Sequence, residues 1–192
     1  LFANAEKYLK SIMDEIKKLK LEDDSLILIM SDHGISVGEK FGERAYGAFC
    51  YDYTLRTFTY FLSEEFTSRE ITQQIRTIDF MPTILDFLKI PFDNNYEKTD
   101  GASLMPLILG SSIPEQIAYS ETGNPLDEKE PPKEPNTKSV RTSKWKLILN
   151  QHDDSKELYN LELDPNEEKN LFGKGEKIES SLWEKLQKLA KT

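Results

Sequence analysis

Apolar residues return at spacings of three and four through Leu1, Ala5, Tyr8, Leu9, Ile12, Ile16 and Leu19, with lysines and acids between them. This is the stripe of an amphipathic helix. The polar stretch "LEDD" breaks the period, and "SLILIM", residues 25–30, follows as an apolar run too short for a helix. Unbroken runs of this kind predict a central parallel strand covered on both faces. The run ends on Ser31, Asp32, His33 and Gly34, so a carboxylate and an imidazole stand side by side where the strand stops.

Residues 34–47, "GISVGEKFGERAYG", contain four glycines and read as a long loop whose charged residues are Glu39, Lys40, Glu43 and Arg44. "FTYFL", 58–62, predicts a second strand. Thr67 and Glu70 have capping-box spacing and predict a short helix. In "RTIDFMPTILDFLKI" a further helix is expected, with Asp79 as N-cap, Pro82 in the first turn, and Ile84, Leu85, Phe87 and Leu88 buried. "IAYSE", 117–121, predicts a strand, and "GNPLDEKEPPKEPN" is too charged and Pro-rich to be anything but a solvated excursion. The runs at 139–150 and 156–163, joined by the polar turn "QHDDS", predict an antiparallel hairpin. A last helix is expected to carry Leu182, Trp183, Leu186 and Leu189 on one stripe.

Length and composition narrow the chemistry. The 192 residues suit one core with a small appended lobe. A formal charge of -9 argues against a nucleic-acid binder, which needs clustered Lys and Arg. The single cysteine, Cys50, excludes an internal disulfide, leans towards an intracellular setting, and reads as a small buried thiol. No stretch has the apolar length of a membrane span. The chain opens without Met on what reads as helix, which suggests a piece of a larger polypeptide.

An open α/β sheet places its ligand sites beyond the carboxyl ends of parallel strands. Asp32 and His33 occupy such an end, and a carboxylate oxygen with a neutral imidazole nitrogen is a good donor pair for a divalent metal. A turn-capping Asp beside a hydrogen-bonded His is the plainer reading of the same residues. His152 reads as an exposed turn residue, Asp79 as a cap, Asp23 and Asp24 as solvated loop acids, and Trp145 and Trp183 as core.

Several stretches together resemble the sulfatase family of the alkaline phosphatase superfamily. "LEDDSLILIMSDHG" is similar to that family's helix, acidic loop and strand ending in Asp followed by Asn or His. "YDYTLR", 51–56, resembles its Tyr-Glu-Glu-Ser-Leu-Arg segment. "TIDFMPTILDFLKI", "DGASLMPLILG" and "ELYNLELDPNEEKNL" match three later family segments in the family's order. The resemblance implies an α/β fold, the C-terminal part of an alkaline-phosphatase-like α/β/α sandwich with a small α+β lobe carrying an antiparallel sheet. The boundary is expected near 115, with residues 1–115 in the main domain and 116–192 in the lobe.

It also implies a metal-dependent hydrolase of sulfate esters, with Asp32 and His33 as metal ligands and Ca2+, or else Mg2+, Mn2+ or Zn2+, as the ion. The anion contact falls on Arg44 or, second, Lys40. The implied partners are a sulfate- or phosphate-ester small molecule or glycan and the N-terminal half of the same polypeptide. The family's Cys/Ser-x-Pro-x-Arg nucleophile signature does not occur in these residues, so the chain by itself is expected to be inactive. The alternatives are a phosphodiesterase, phosphonate monoester hydrolase or phosphoglycerol transferase of the same superfamily, and a non-catalytic structural module.

Overall fold

A computed structural model describes residues 2–40, 46–93, 95, 99–123 and 134–191. Among them the chain forms two compact units, one of Leu1–Met30, Phe58–Ile71 and Ile78–Ile113, the other of Ser31–Thr57, Thr72–Thr77 and Pro114–Thr192. No described helix is long and apolar enough to cross a membrane.

The first unit opens with α1 (Phe2–Lys18), whose closing Lys17 and Lys18 complement the negative end of the helix dipole. Lys20, with φ of 54°, ends it, and the Leu21 amide reaches back to the Ile16 carbonyl at 3.1 Å. The predicted stripe is present but largely uncovered: Tyr8, Leu9 and Ile12 are exposed, and Ile16 is half-buried. A 3-10 turn (Glu22–Asp24) leads into β1 (Ile27–Met30), which pairs with β2 (Thr59–Leu62). The pairing is antiparallel, from Ile27 opposite Leu62 to Met30 opposite Thr59. This corrects the expectation of a parallel strand buried on both faces. An apolar run does not distinguish the two pairings; here its partner is the aromatic strand β2, and Met30 is exposed.

The helix expected after Thr67 is absent. Arg69 donates instead to the Leu107 carbonyl at 3.2 Å, a tertiary bond that a single capping box does not outweigh in so short a segment. The later helix forms as α3 (Phe80–Phe87), after the 3-10 turn Thr77–Asp79. Phe80, Pro82 and Thr83 are its buried residues, whereas Ile84, Leu85 and Phe87 are half-buried and Leu88 is exposed. Asp79 stands at the N-cap position without capping; its Oδ1 accepts the Ala102 amide at 2.9 Å. Thr83 Oγ1 accepts the Leu104 amide at 2.9 Å, which holds the segment before the short helix α4 (Met105–Ile108) against α3. Gly101 permits that approach, because a Cβ there would stand 1.9 Å from the Ile78 carbonyl oxygen.

The second unit is built on a four-stranded antiparallel sheet in sequential order. Its strands are β3 (Ala118–Thr122), β4 (Thr137–Arg141), β5 (Trp145–Asn150) and β6 (Ser155–Asn160). The run expected as one strand at 139–150 is two, because the chain turns between Arg141 and Trp145, where the Thr142 amide bonds the Trp145 carbonyl at 2.8 Å. Alternation gives the sheet two unlike faces. Val140, Leu147, Leu149 and Leu158 pack with Leu182 and Leu186 of α5 (Ile178–Leu189). Ile148 and Tyr159 of the opposite face pack with Cys50, Tyr51 and Leu161. The short helix α2 (Asp52–Leu55) follows directly on that cover. Trp145 and Trp183 lean on the first cluster, as expected of core tryptophans.

Candidate metal centre

The chain leaves β1 at Met30 and turns through Asp32–Gly34. The His33 amide donates to Asp32 Oδ1 at 2.9 Å, and His33 Nδ1 lies 2.7 Å from the Gly34 carbonyl oxygen. A carbonyl only accepts, so Nδ1 is the donor in this contact, and the lone pair of a neutral ring held this way stands at Nε2. That nitrogen is 3.6 Å from Asp32 Oδ2. Ligand bonds of about 2.1 to 2.4 Å would close on one ion across that gap at an angle of roughly 100 to 120°. The Asp32 carboxylate is 86% exposed and the His33 ring 40%. Tyr46 stands edge-on to the ring at 5.9 Å.

Gly34 fixes the turn. Its amide donates to the Thr54 carbonyl of α2 at 2.8 Å, and a Cβ at this position would lie 2.1 Å from the Tyr53 carbonyl oxygen. Only glycine admits so close an approach of two backbones. Beyond it, Glu39 Oε2 accepts from Ser36 Oγ at 3.0 Å and from the Val37 amide at 2.7 Å. The Lys40 ammonium donates to the Glu167 carbonyl and sits 4.8 Å from the centre of the Tyr51 ring and 5.8 Å from that of Tyr159. Both phenols donate to Glu157 Oε2, Tyr51 at 2.7 Å. Burial first, then the charge of Glu157 and the hydrogen bond to it, pushes both hydroxyls far above the usual phenol range.

Beneath α2 lies a buried ionic network. Arg141 and Lys146 are cross-strand neighbours in the β4–β5 register, a like-charge pair that costs stability unless it is compensated. Asp52 compensates it: Arg141 Nη2 reaches Oδ2 at 2.8 Å, Arg141 Nε reaches Oδ1 at 3.0 Å, and Lys146 Nζ reaches Oδ1 at 2.9 Å. Lys146 is fully buried and also makes a 2.9 Å ion contact with Glu167 Oε1. Glu167 Oε2 accepts the Asp52 amide at 2.7 Å. Burial alone would raise the Asp52 carboxyl, but the Arg141 hydrogen bonds and the Lys146 charge hold it at about 2. At Glu167 burial wins, and its carboxyl is raised.

The family model described as N-sulphoglucosamine sulphohydrolase, C-terminal, matches residues 48–192, and the sulfatase model matches residues 2–90. The chain belongs to the sulfatase family. Its fold is similar to that of a protein solved in complex with its substrate D-glucosamine-2-N,6-O-disulfate, at 24% identity and a TM-score of 0.74 over 96% of this chain and 38% of that one. A 2-O GAG sulfatase gives 23% identity and a TM-score of 0.67, covering 86% of this chain and 35% of that one. The phosphonate monoester hydrolase of Agrobacterium radiobacter gives 20% and 0.74, covering 98% and 39%. The sulfatase-family chain therefore spans less than two fifths of each of these structures, and its mixed α/β architecture with antiparallel sheets is theirs. No curated protein matches it by sequence.

In this sulfatase-family chain the expected ligand atoms Asp32 Oδ2 and His33 Nε2 lie 3.6 Å apart. Lys40 is engaged by Glu167 and two tyrosines. Arg44 and residues 124–133, most of the charged Pro-rich stretch, lie outside the described residues. His152 is exposed beside Asp153, and Cys50 is buried. Asp23 and Asp24 are exposed, and Asp23 joins Glu22 and Glu64 in a carboxylate cluster within the first unit. Exposed acids of this kind are common without an ion, and nothing else marks that cluster as a site. Sequence reasoning missed Asp52, Arg141, Lys146 and Glu167. The signal for Lys146 was available: in "WKLILN", period two puts it on the face of Ile148, between hydrophobic neighbours.

Proposed function

We propose that this chain contributes two ligands, Asp32 Oδ2 and His33 Nε2, to the divalent cation of a hydrolase acting on sulfate esters of glycans. The observation that carries the reading is the 2.7 Å contact of His33 Nδ1 with the Gly34 carbonyl oxygen. The Gly34 carbonyl accepts a hydrogen bond from Nδ1–H and so leaves Nε2 as the lone-pair donor of the neutral ring beside a carboxylate oxygen, the outer-shell arrangement usual for metal-binding histidine. A cation held there supplies Lewis-acid polarisation of an ester oxygen. One oxygen and one imidazole nitrogen suit Mn2+ or Zn2+ as well as the Ca2+ or Mg2+ that oxygen ligands favour. With Lys40 occupied, Arg44 is our choice for contact with the anionic group, since a guanidinium bridges two anionic oxygens.

Support for the substrate class comes from the family and from the bound disulfated glucosamine of the similar structure. The equal TM-score of the phosphonate monoester hydrolase favours phosphonate or phosphate monoesters as the second reading. Bound metal should be measured by mass spectrometry, and Mn2+ titrated, on the full-length polypeptide and its Asp32→Ala/His33→Ala double variant. We expect the variant to lose the ion and the esterase activity together; equal metal content would remove the reading. Rates on paired aryl sulfate and phenylphosphonate substrates decide between the two ester classes.

A further inference from the structure

A helix of four residues does not hold itself in place, and α2 has no side-chain cap at Tyr51. Its place is set instead at its first residue. Asp52 is tied by its carboxylate to Arg141 and Lys146 and by its amide to Glu167. At the other end of α2, the Thr54 carbonyl receives the Gly34 amide, and the Tyr53 carbonyl leaves no space for a Cβ on Gly34. A shift of α2 therefore moves Gly34. The Gly34 carbonyl is in turn the acceptor that sets the His33 proton on Nδ1. The Thr54 side chain also packs against Gly47, 2.8 Å from where a Cβ would stand, so α2 receives the chain again where the loop returns.

We infer that the Asp52 ion network is a positioning device, fixing α2 so that α2 presents Gly34 and holds the His33 ring with Nε2 towards Asp32. The inference rests on the proposed metal reading for its functional meaning. Its own content is mechanical: four charges from β4, β5, α2 and the turn at 164–167 determine the tautomer of an imidazole that none of them touches. Burying four charges costs more than an apolar contact of the same volume, and such arrangements are retained where geometry must be unique.

The test uses Asp52→Asn, which keeps the shape and loses the charge, and the milder Arg141→Lys, which keeps the charge and loses the fork. Three readouts apply to the full-length protein: exchange of the Gly34 amide, the ring 15N shifts of His33, and the dissociation constant for Mn2+. With β5 and β6 amides still protected, we expect Gly34 to exchange at least tenfold faster, the His33 shifts to move towards a mixture of tautomers, and Mn2+ to bind about tenfold more weakly. Folded variants with wild-type Gly34 exchange and wild-type His33 shifts would overturn the inference. If Asp52→Asn does not fold, Arg141→Lys decides by the same criteria. Failure of the wild-type protein to bind any of Ca2+, Mg2+, Mn2+ and Zn2+ would overturn the proposed function instead, while the Gly34 and His33 readouts would still decide the positioning role.

Discussion

Asp52 shows how one carboxylate can be worth more than its size. Its carboxyl sits at about 2 in the folded chain against an ordinary 3.8, so its ionised form is favoured by folding. The stabilisation is present above pH 4 and is lost as the pH falls from about 4 towards 2. Glu167 runs the other way: burial raises its carboxyl above 4.5, so its ionisation opposes folding as the pH climbs past that value. Urea unfolding of wild type and Asp52→Asn should show a gap of about 2 kcal/mol at pH 7 that narrows to about 0.4 kcal/mol by pH 2. At pH 7, Lys146→Met should cost about 3–5 kcal/mol, because it strands Glu167 without its countercharge. A loss under 1 kcal/mol in that variant would show the ammonium to be dispensable.

Among the elements, α5 and the sheet it covers were the most legible in the sequence. The stripe Leu182, Trp183, Leu186 and Leu189 has one solution, and Leu182 and Leu186 are each 1% exposed against the β-sheet. Leu182→Ala should therefore lower stability by about 2–5 kcal/mol, while Leu189→Ala, at the exposed end of the stripe, should stay within about 0.5 kcal/mol. Denaturant midpoints compare the two directly. At α1 the same rule gave the helix that forms, Phe2–Lys18, yet Tyr8, Leu9 and Ile12 are exposed, because periodicity reports what a helix could bury and not what covers it. β1 misled for a related reason, since its apolar run is silent about strand direction. The Asp32–His33 pair was legible from its position after that run and from family likeness. The ion network was not, because its members are 94 and 115 residues from Asp52 in the cases of Lys146 and Glu167, and no local pattern links residues so far apart.

At the scale of the whole molecule the two units differ in how they are held. The first contains a two-stranded sheet with partly exposed strands, and a pair of strands alone is marginal in water. The second has four strands with one face under α5 and the other under residues 48–55. Amide exchange should accordingly be slowest in β5, at Leu147 and Ile148, and faster by orders of magnitude in β1. Uniform protection across both units would refute that ranking. The sequential strand order carries a further consequence, for time. Each strand of the larger sheet pairs with its successor, so β4, β5 and β6 zip through nearby contacts and need wait for nothing remote. Asp52 must cross a far longer loop to meet Lys146. The contacts that fix α2 and, through Gly34, the His33 turn are therefore expected to form after the sheet has zipped.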